Sequence, residues 1–187
     1  MKRAFSLLEV VILVGVLALL AAILFPVLAR RNVPSKGRCA SNLKQIGLGF
    51  AMYTQDYGGR FLVPQLTPSV GWADMLQSYV KSRRIFLCPA TSNYSEATID
   101  YFYNRNLSGV RSARIRNPVD VVMTGDGDAA APTGNSWAKL PATATATSTS
   151  PLRRHFDGAN FGFVDGHVKW YSFQKLPPQQ QWNPLSP

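Results

Sequence analysis

Cysteine is scarce in this chain, two residues in 187, which excludes a multi-disulfide scaffold and a four-cysteine zinc site. Acidic residues are few as well. Ten Asp and Glu stand against 20 Lys and Arg, a formal net charge of +10, a balance that suits anionic lipid, nucleic acid or simple solubility and names no partner. Charged residues of either sign make up 16% and apolar ones 46%, so wholesale disorder is excluded and one domain with an appendage fits the length. The mean hydropathy of −0.04 conceals an uneven distribution, because the first thirty residues are far more apolar than the rest.

From Val10 to Leu28 the sequence has 19 residues without a charge, about 28 Å as a helix at ~1.5 Å per residue, against a hydrocarbon core of about 30 Å. The expectation is a transmembrane helix. Lys2 and Arg3 precede it and Arg30 and Arg31 follow it, so the basic flanks do not set its orientation. Lys2, Arg3 and Val27-Leu28-Ala29 also suit a secretory signal peptide, yet the apolar run exceeds the usual h-region. Glu9 is the informative residue, since an acid near the end of a membrane helix is normally kept for a partner.

The run Ala4-Phe5-Ser6-Leu7-Leu8-Glu9-Val10 resembles the processing motif of type IV prepilins and type II secretion pseudopilins. The resemblance implies cleavage before Phe5 by a prepilin peptidase, methylation of the new amine, and a four-residue leader, Met1 to Ala4. Ala4 stands where that family usually has Gly. Glu9 of one subunit would then answer the Phe5 amine of the next, because two charges in low dielectric each need an opposite partner. Pro26 falls where many pilins carry a kinking proline.

Pro34 disfavours helical geometry at Val33, so a break in the pilin spine is expected near Pro34. Beyond it Cys39, Leu43, Ile46, Phe50, Tyr53 and Tyr57 recur at spacings of 4, 3, 4, 3 and 4, an amphipathic helix that Gly58-Gly59 ends. Trp72, Met75, Leu76, Tyr79 and Val80 suggest a short second helix, and Ile85-Phe86-Leu87 a buried strand or extended segment. Cys39 to Leu48, Tyr53 to Tyr57, Trp72, Cys88-Pro89 and His155 to Gly166 together resemble the prepilin-like family whose C-terminal domain is named for an H-x9-DG motif. The likeness runs from Ala4 to about Trp170.

What it implies is an α+β protein: leader 1–4, transmembrane helix and assembly segment 5–31, and a pseudopilin-like head over 32–187. In that head an amphipathic helix packs on a small antiparallel sheet, with the motif at 155–166 and a flexible loop at 129–151. Cys39 lies on the apolar helix stripe, and Cys88 meets it if the extended segment returns to the helix base. In an oxidising compartment the pair would form a disulfide worth roughly 4 kcal/mol in the chain-entropy model. Two buried free thiols are the other reading, and no third ligand has the spacing of a metal site.

Val119 to Thr124 reads as a strand ending in Gly125-Asp126-Gly127-Asp128. Asp165-Gly166 signals a two-residue type I′ hairpin that pairs Val164 with His167, Phe163 with Val168, Gly162 with Lys169 and Phe161 with Trp170. Phe161, Phe163, Val168 and Trp170 would then form one face against the helix. His155 and Asp165 bracket the motif, but no Ser or Cys nucleophile is tied to them by spacing. They read as structural, with Gly166 required by the turn and His155 anchoring the segment by a hydrogen bond. No enzyme and no cofactor are expected. Some major pseudopilins bind calcium in a C-terminal loop, and Asp126, Asp128 and Asp157 are oxygen donors that could contribute to one here, although the twelve-residue calcium-loop pattern is absent and paired Asp-Gly steps are more often turns.

Loss of the leader removes Lys2 and Arg3, leaving 18 basic against 10 acidic residues, +8. Arg105, Arg111, Arg114 and Arg116 share one polar stretch. The leading expectation is a structural subunit of a type IV pilus or type II secretion pseudopilus. It would sit as a single-pass protein of the inner membrane with its head in the periplasm, reaching the cell surface on assembly, with itself, other pilin-like subunits and the peptidase as partners. The alternatives are a minor pilin that binds extracellular DNA or another anionic polymer through the arginines, and a membrane-tethered envelope protein that does not polymerise.

Overall fold

The computed structural model describes residues 7–29, 35–64, 70–91, 98–130, 136–139 and 150–185, with backbone alone at 23–29, 129–130 and 136. The leader, with Ala4 and Phe5, the proposed break at Pro34 and most of the loop 129–151 lie outside these residues. The chain divides into two compact units, Met1–Pro34 and Ser35–Pro187.

Unit one contributes helix α1, Leu7–Ala29, with Glu9 in its first turn. The expected membrane span requires correction here: among the described residues no helix is long and apolar enough to cross a membrane. A transmembrane pilin spine and a single-pass inner-membrane location therefore lack support.

Unit two is α+β. Helix α2, Ser35–Asp56, buries Cys39, Leu43, Ile46, Phe50 and Tyr53, the stripe its periodicity predicts, while Tyr57 is exposed. Gly58 and Gly59 follow it with φ of 61° and 76°, left-handed values that stop a helix. Helix α3 is one turn, Trp72–Met75, with the Asp74 carboxylate accepting from the Gly71 N–H at 2.7 Å. Ile85 and Phe86 are buried as expected, but in a 3-10 turn, Arg83–Phe86, rather than a strand.

The sheet has strands β1 (Ile99–Asn104), β2 (Val122–Ala130), β3 (Ser136–Trp137), β4 (Gly158–Phe163) and β5 (Val168–Ser172) in the order β3-β1-β2-β4-β5. β1, β2, β4 and β5 are antiparallel neighbours, and the short β3 runs parallel to β1 at the edge. Two cores lie on its two faces. Against α2 pack Ile99, Tyr101, Tyr103 and Met123, together with Trp72, Phe86 and Val168. The other face gathers Phe102, Val122, Phe161, Phe163, Trp137 and Trp182, closed by the C-terminal segment, whose Trp182 stacks on Phe102 at 5.1 Å between ring centroids.

Two predictions about the sheet fail for local reasons. β2 does not end at Gly125; it continues through Gly125-Asp126-Gly127-Asp128. A Cβ at Gly125 would come within 2.9 Å of the Asn160 carbonyl and 2.7 Å of the Phe102 ring, so the glycine is there for a close strand approach rather than a turn. The hairpin pairs Gly162 with Val168, Phe161 with Lys169 and Asn160 with Trp170, one residue from the predicted register. Its loop has three residues, with Phe163 N–H donating to His167 O at 2.9 Å and only Gly166 at positive φ, 91°, the pattern of a type I turn closed by a left-handed residue. A slip of one residue exchanges faces, and so Phe161 and Phe163 pack away from α2, in the second core.

Candidate functional site

The residues that carry chemistry converge where α2, β2 and two loops meet. Cys39 comes from the first turns of α2, buried at the start of the apolar stripe. Cys88 follows the 3-10 turn Arg83–Phe86, where its N–H donates to the Asp100 carboxylate at 2.7 Å. The two form a disulfide across 49 residues, with Cα atoms 5.4 Å apart. The helix stripe and the returning segment thus meet as the sequence suggests.

Asp126 lies mid-strand on the face toward α2. Its Oδ2 accepts from the Asn160 N–H at 2.6 Å and from Asn160 Nδ2 at 3.2 Å. His155 follows a 3-10 turn, Pro151–Arg153, that Ser150 caps by accepting from the Leu152 N–H. Its backbone is held on both sides: the N–H donates to Gly158 O at 3.0 Å, and the carbonyl accepts from Trp170 Nε1 at 2.9 Å. Phe156 and Asp157 behind it both take φ of 55°, a left-handed pair that turns the chain sharply and leaves the imidazole facing inward.

His155 Nε2 lies 3.4 Å from Cys88 Sγ and 3.6 Å from Asp126 Oδ2. Both side chains are wholly buried. Ligand atoms of Cys39, Cys88, Asp126 and His155 all fall within 4.8 Å of one another. Among the described residues, His155 Nδ1, Asp126 Oδ1 and Asp100 Oδ1 are buried without a hydrogen-bond partner, a costly arrangement for groups that bond strongly in water. Tyr101 nearby has its phenol pushed well above the usual range by burial and by the Asp126 charge, against an Asn42 hydrogen bond that pulls it back. Arg154 supplies positive charge from the rim, donating to Gly127 O at 2.9 Å.

The remaining predicted site residues are dispersed. His155 and Asp165 do not face each other: Asp165 Oδ1 bonds instead to His167, 2.6 Å from its Nδ1 and 3.1 Å from its backbone N–H. The three aspartates considered for calcium also part company. Asp126 joins the cystine cluster, and Asp157 pairs with Arg153 at 2.6 Å. Asp128, half-buried, has its carboxyl held above the usual range by desolvation, which Arg154 partly offsets. Glu9 is exposed on α1, as is every side chain from Leu7 to Ala22. Arg111, Arg114 and Arg116 are exposed, and the last two line a shallow hollow of about 410 Å³ with Ala113 and Leu185.

Sequence reasoning finds the cystine but not its companions. His155 is 67 residues from Cys88, and Asp126 sits in a Gly-Asp-Gly-Asp run that reads as a turn, so no spacing links them. No family model, no curated protein and no solved structure matches the chain.

Proposed function

We propose that this protein is a non-enzymatic structural subunit that assembles with copies of itself, or with similar chains, through helix α1, in the manner of type IV pilins and type II secretion pseudopilins. The observation that carries the reading is the exposure of α1. Leu7, Leu8, Val10, Val11, Ile12, Leu13, Val14 and the apolar residues on to Leu20 are all exposed, and the helix is apolar around its whole circumference. Such a helix gains by packing against others of its kind, since burial of apolar surface is worth roughly 25 cal/mol per Å². Glu9 in its first turn gives that packing a register, pairing with the amine of Phe5 on a neighbouring chain once cleavage has exposed it.

Mass spectrometry of the protein recovered from its own cells, with electron microscopy of the purified full chain, tests this. The expected chain begins at a methylated Phe5 and forms filaments or high-order oligomers, which Glu9→Ala weakens and Ala18→Arg abolishes. A monodisperse monomer with an unprocessed start would overturn it. A second reading has one observation in its favour, the exposed arginines at the hollow. Binding of an anionic polymer there would fall steeply with added salt, and no binding of single-stranded DNA at low ionic strength would remove it.

A further inference from the structure

The cystine cluster has the composition of a metal site whose sulfurs are occupied with each other. We propose that reduction of the Cys39–Cys88 bond converts this cluster into a tetrahedral site for one zinc-class divalent ion, held by Cys39 Sγ, Cys88 Sγ, His155 Nε2 and Asp126 Oδ2. The inference is independent of how the chain assembles.

Geometry is the first support. With zinc–sulfur bonds of about 2.3 Å and zinc–nitrogen or –oxygen bonds of about 2.0–2.1 Å, tetrahedral ligands stand about 3.5 Å apart for sulfur and nitrogen and about 3.4 Å for nitrogen and oxygen. The corresponding separations here are 3.4 Å for Cys88 Sγ to His155 Nε2 and 3.6 Å for His155 Nε2 to Asp126 Oδ2. Both separations measured from His155 Nε2 therefore match those of ligands on one ion, and all four donor atoms lie within 4.8 Å of one another. The sulfurs must part to about 3.8 Å, a movement that only reduction of the bond between them allows.

Charge is the second. A cystine is neutral, and two thiolates with one divalent cation are also neutral, so the exchange leaves the net charge of a wholly buried cluster unchanged. Without a metal the reduced pair stays as two neutral thiols, because ionising them would add negative charge beside Asp126 where desolvated charge is costly; a bound divalent ion is what offsets the thiolate form. The third is the support already built around the ligands. Asp100 fixes the Cys88 backbone, Asn160 holds the Asp126 carboxylate, and the Trp170 indole holds the His155 backbone carbonyl, so outer contacts position three of the ligand residues. Two soft thiolates with one imidazole favour zinc-class ions over calcium or magnesium.

The chemistry balances with a dithiol reductant. Its two thiols give two electrons and two protons to the Cys39–Cys88 bond and become a disulfide, while the protein gains two thiols. Metal binding then releases those two protons as two metal–thiolate bonds form. The full chain, treated with dithiothreitol and freed of it under anaerobic conditions, would be titrated with Co²⁺ and then Zn²⁺. One Co²⁺ per chain is expected, with the visible bands of a tetrahedral ion and the charge-transfer absorption of two thiolates, all displaced by Zn²⁺; the untreated chain should give none of these. His155→Ala and, as the shape-preserving variant, Asp126→Asn should each weaken binding at least ~100-fold. Saturating Zn²⁺ should also raise the thermal midpoint of the reduced chain. Absence of tetrahedral cobalt in the reduced chain, equal uptake by both redox forms, unchanged affinity in both variants, or a reduced chain that Zn²⁺ neither stabilises nor refolds would each overturn the proposal.

Discussion

At the scale of single residues, the costs concentrate around His155. Phe156 sits at φ 55° and is 75% exposed, so it bears left-handed strain and gains little packing in return. Phe156→Gly is expected to stabilise the protein by up to about 1 kcal/mol in a denaturant titration, because relief of a strained left-handed residue outweighs the added freedom of the unfolded chain. Asp128 bears a different cost. Its carboxyl is raised above the ordinary value by desolvation, so as pH rises from about 4 the unfolded chain ionises first and the fold loses stability across the interval up to the raised value. Asp128→Asn should therefore raise the melting temperature at pH 7, and the gain should vanish at pH 3; a gain that persists in acid would assign it to something other than the charge. Residue chemistry of this kind was only partly legible in the sequence. Cys39 was readable because it lies on the apolar stripe of α2, whereas the position of His155 depends on a left-handed pair that no residue type in Phe156-Asp157 announces.

At the scale of elements, periodicity was a sound guide to the helix and a poor one to the strands. Helix α2 presents a five-residue stripe that no other period explains. The hairpin was legible as a hairpin, since Asp165-Gly166 marks a turn, but its register depends on whether one or two residues take positive φ. Asp165 instead spends its side chain on His167, so the loop has three residues and the faces exchange. The two glycines at issue predict different penalties. At Gly166 the space beyond the backbone is open and only the φ of 91° opposes a side chain, so Gly166→Ala should cost about 1 kcal/mol. At Gly125 the obstacle is packing: the Phe102 ring is stacked between Trp137 at 4.7 Å and Trp182 at 5.1 Å, and the Asn160 carbonyl belongs to the neighbouring strand. Gly125→Ala should cost about 3 kcal/mol. Equal losses for the two variants in urea titrations would contradict this division.

At the scale of the molecule, the near-neutral mean hydropathy resolves into an exposed apolar helix and an α+β unit whose sheet is covered on both faces. The second cover was not legible, because its anchor, Trp182, lies in a tail of Gln, Pro and Asn with no helical or strand period. Its carbonyl accepts from Asn104 Nδ2 at 3.1 Å and Asn106 Nδ2 at 2.9 Å, contacts that no local pattern foreshadows. The cystine belongs to the first core, where it ties α2 to the segment that leads into β1 and shortens the loop that the unfolded chain must close. Replacing both cysteines by alanine removes that constraint and leaves the space of two sulfurs beside Asp126 and His155. The expected loss is at least about 4 kcal/mol, the chain-entropy value for a loop of about 50 residues, with the packing loss added. Because the constraint acts on the unfolded chain, the denaturant m-value should rise as that state expands. A lower midpoint at an unchanged m-value would instead place the effect of the cystine in the folded core alone, where it would act as packing for His155 and Asp126 and not as a staple.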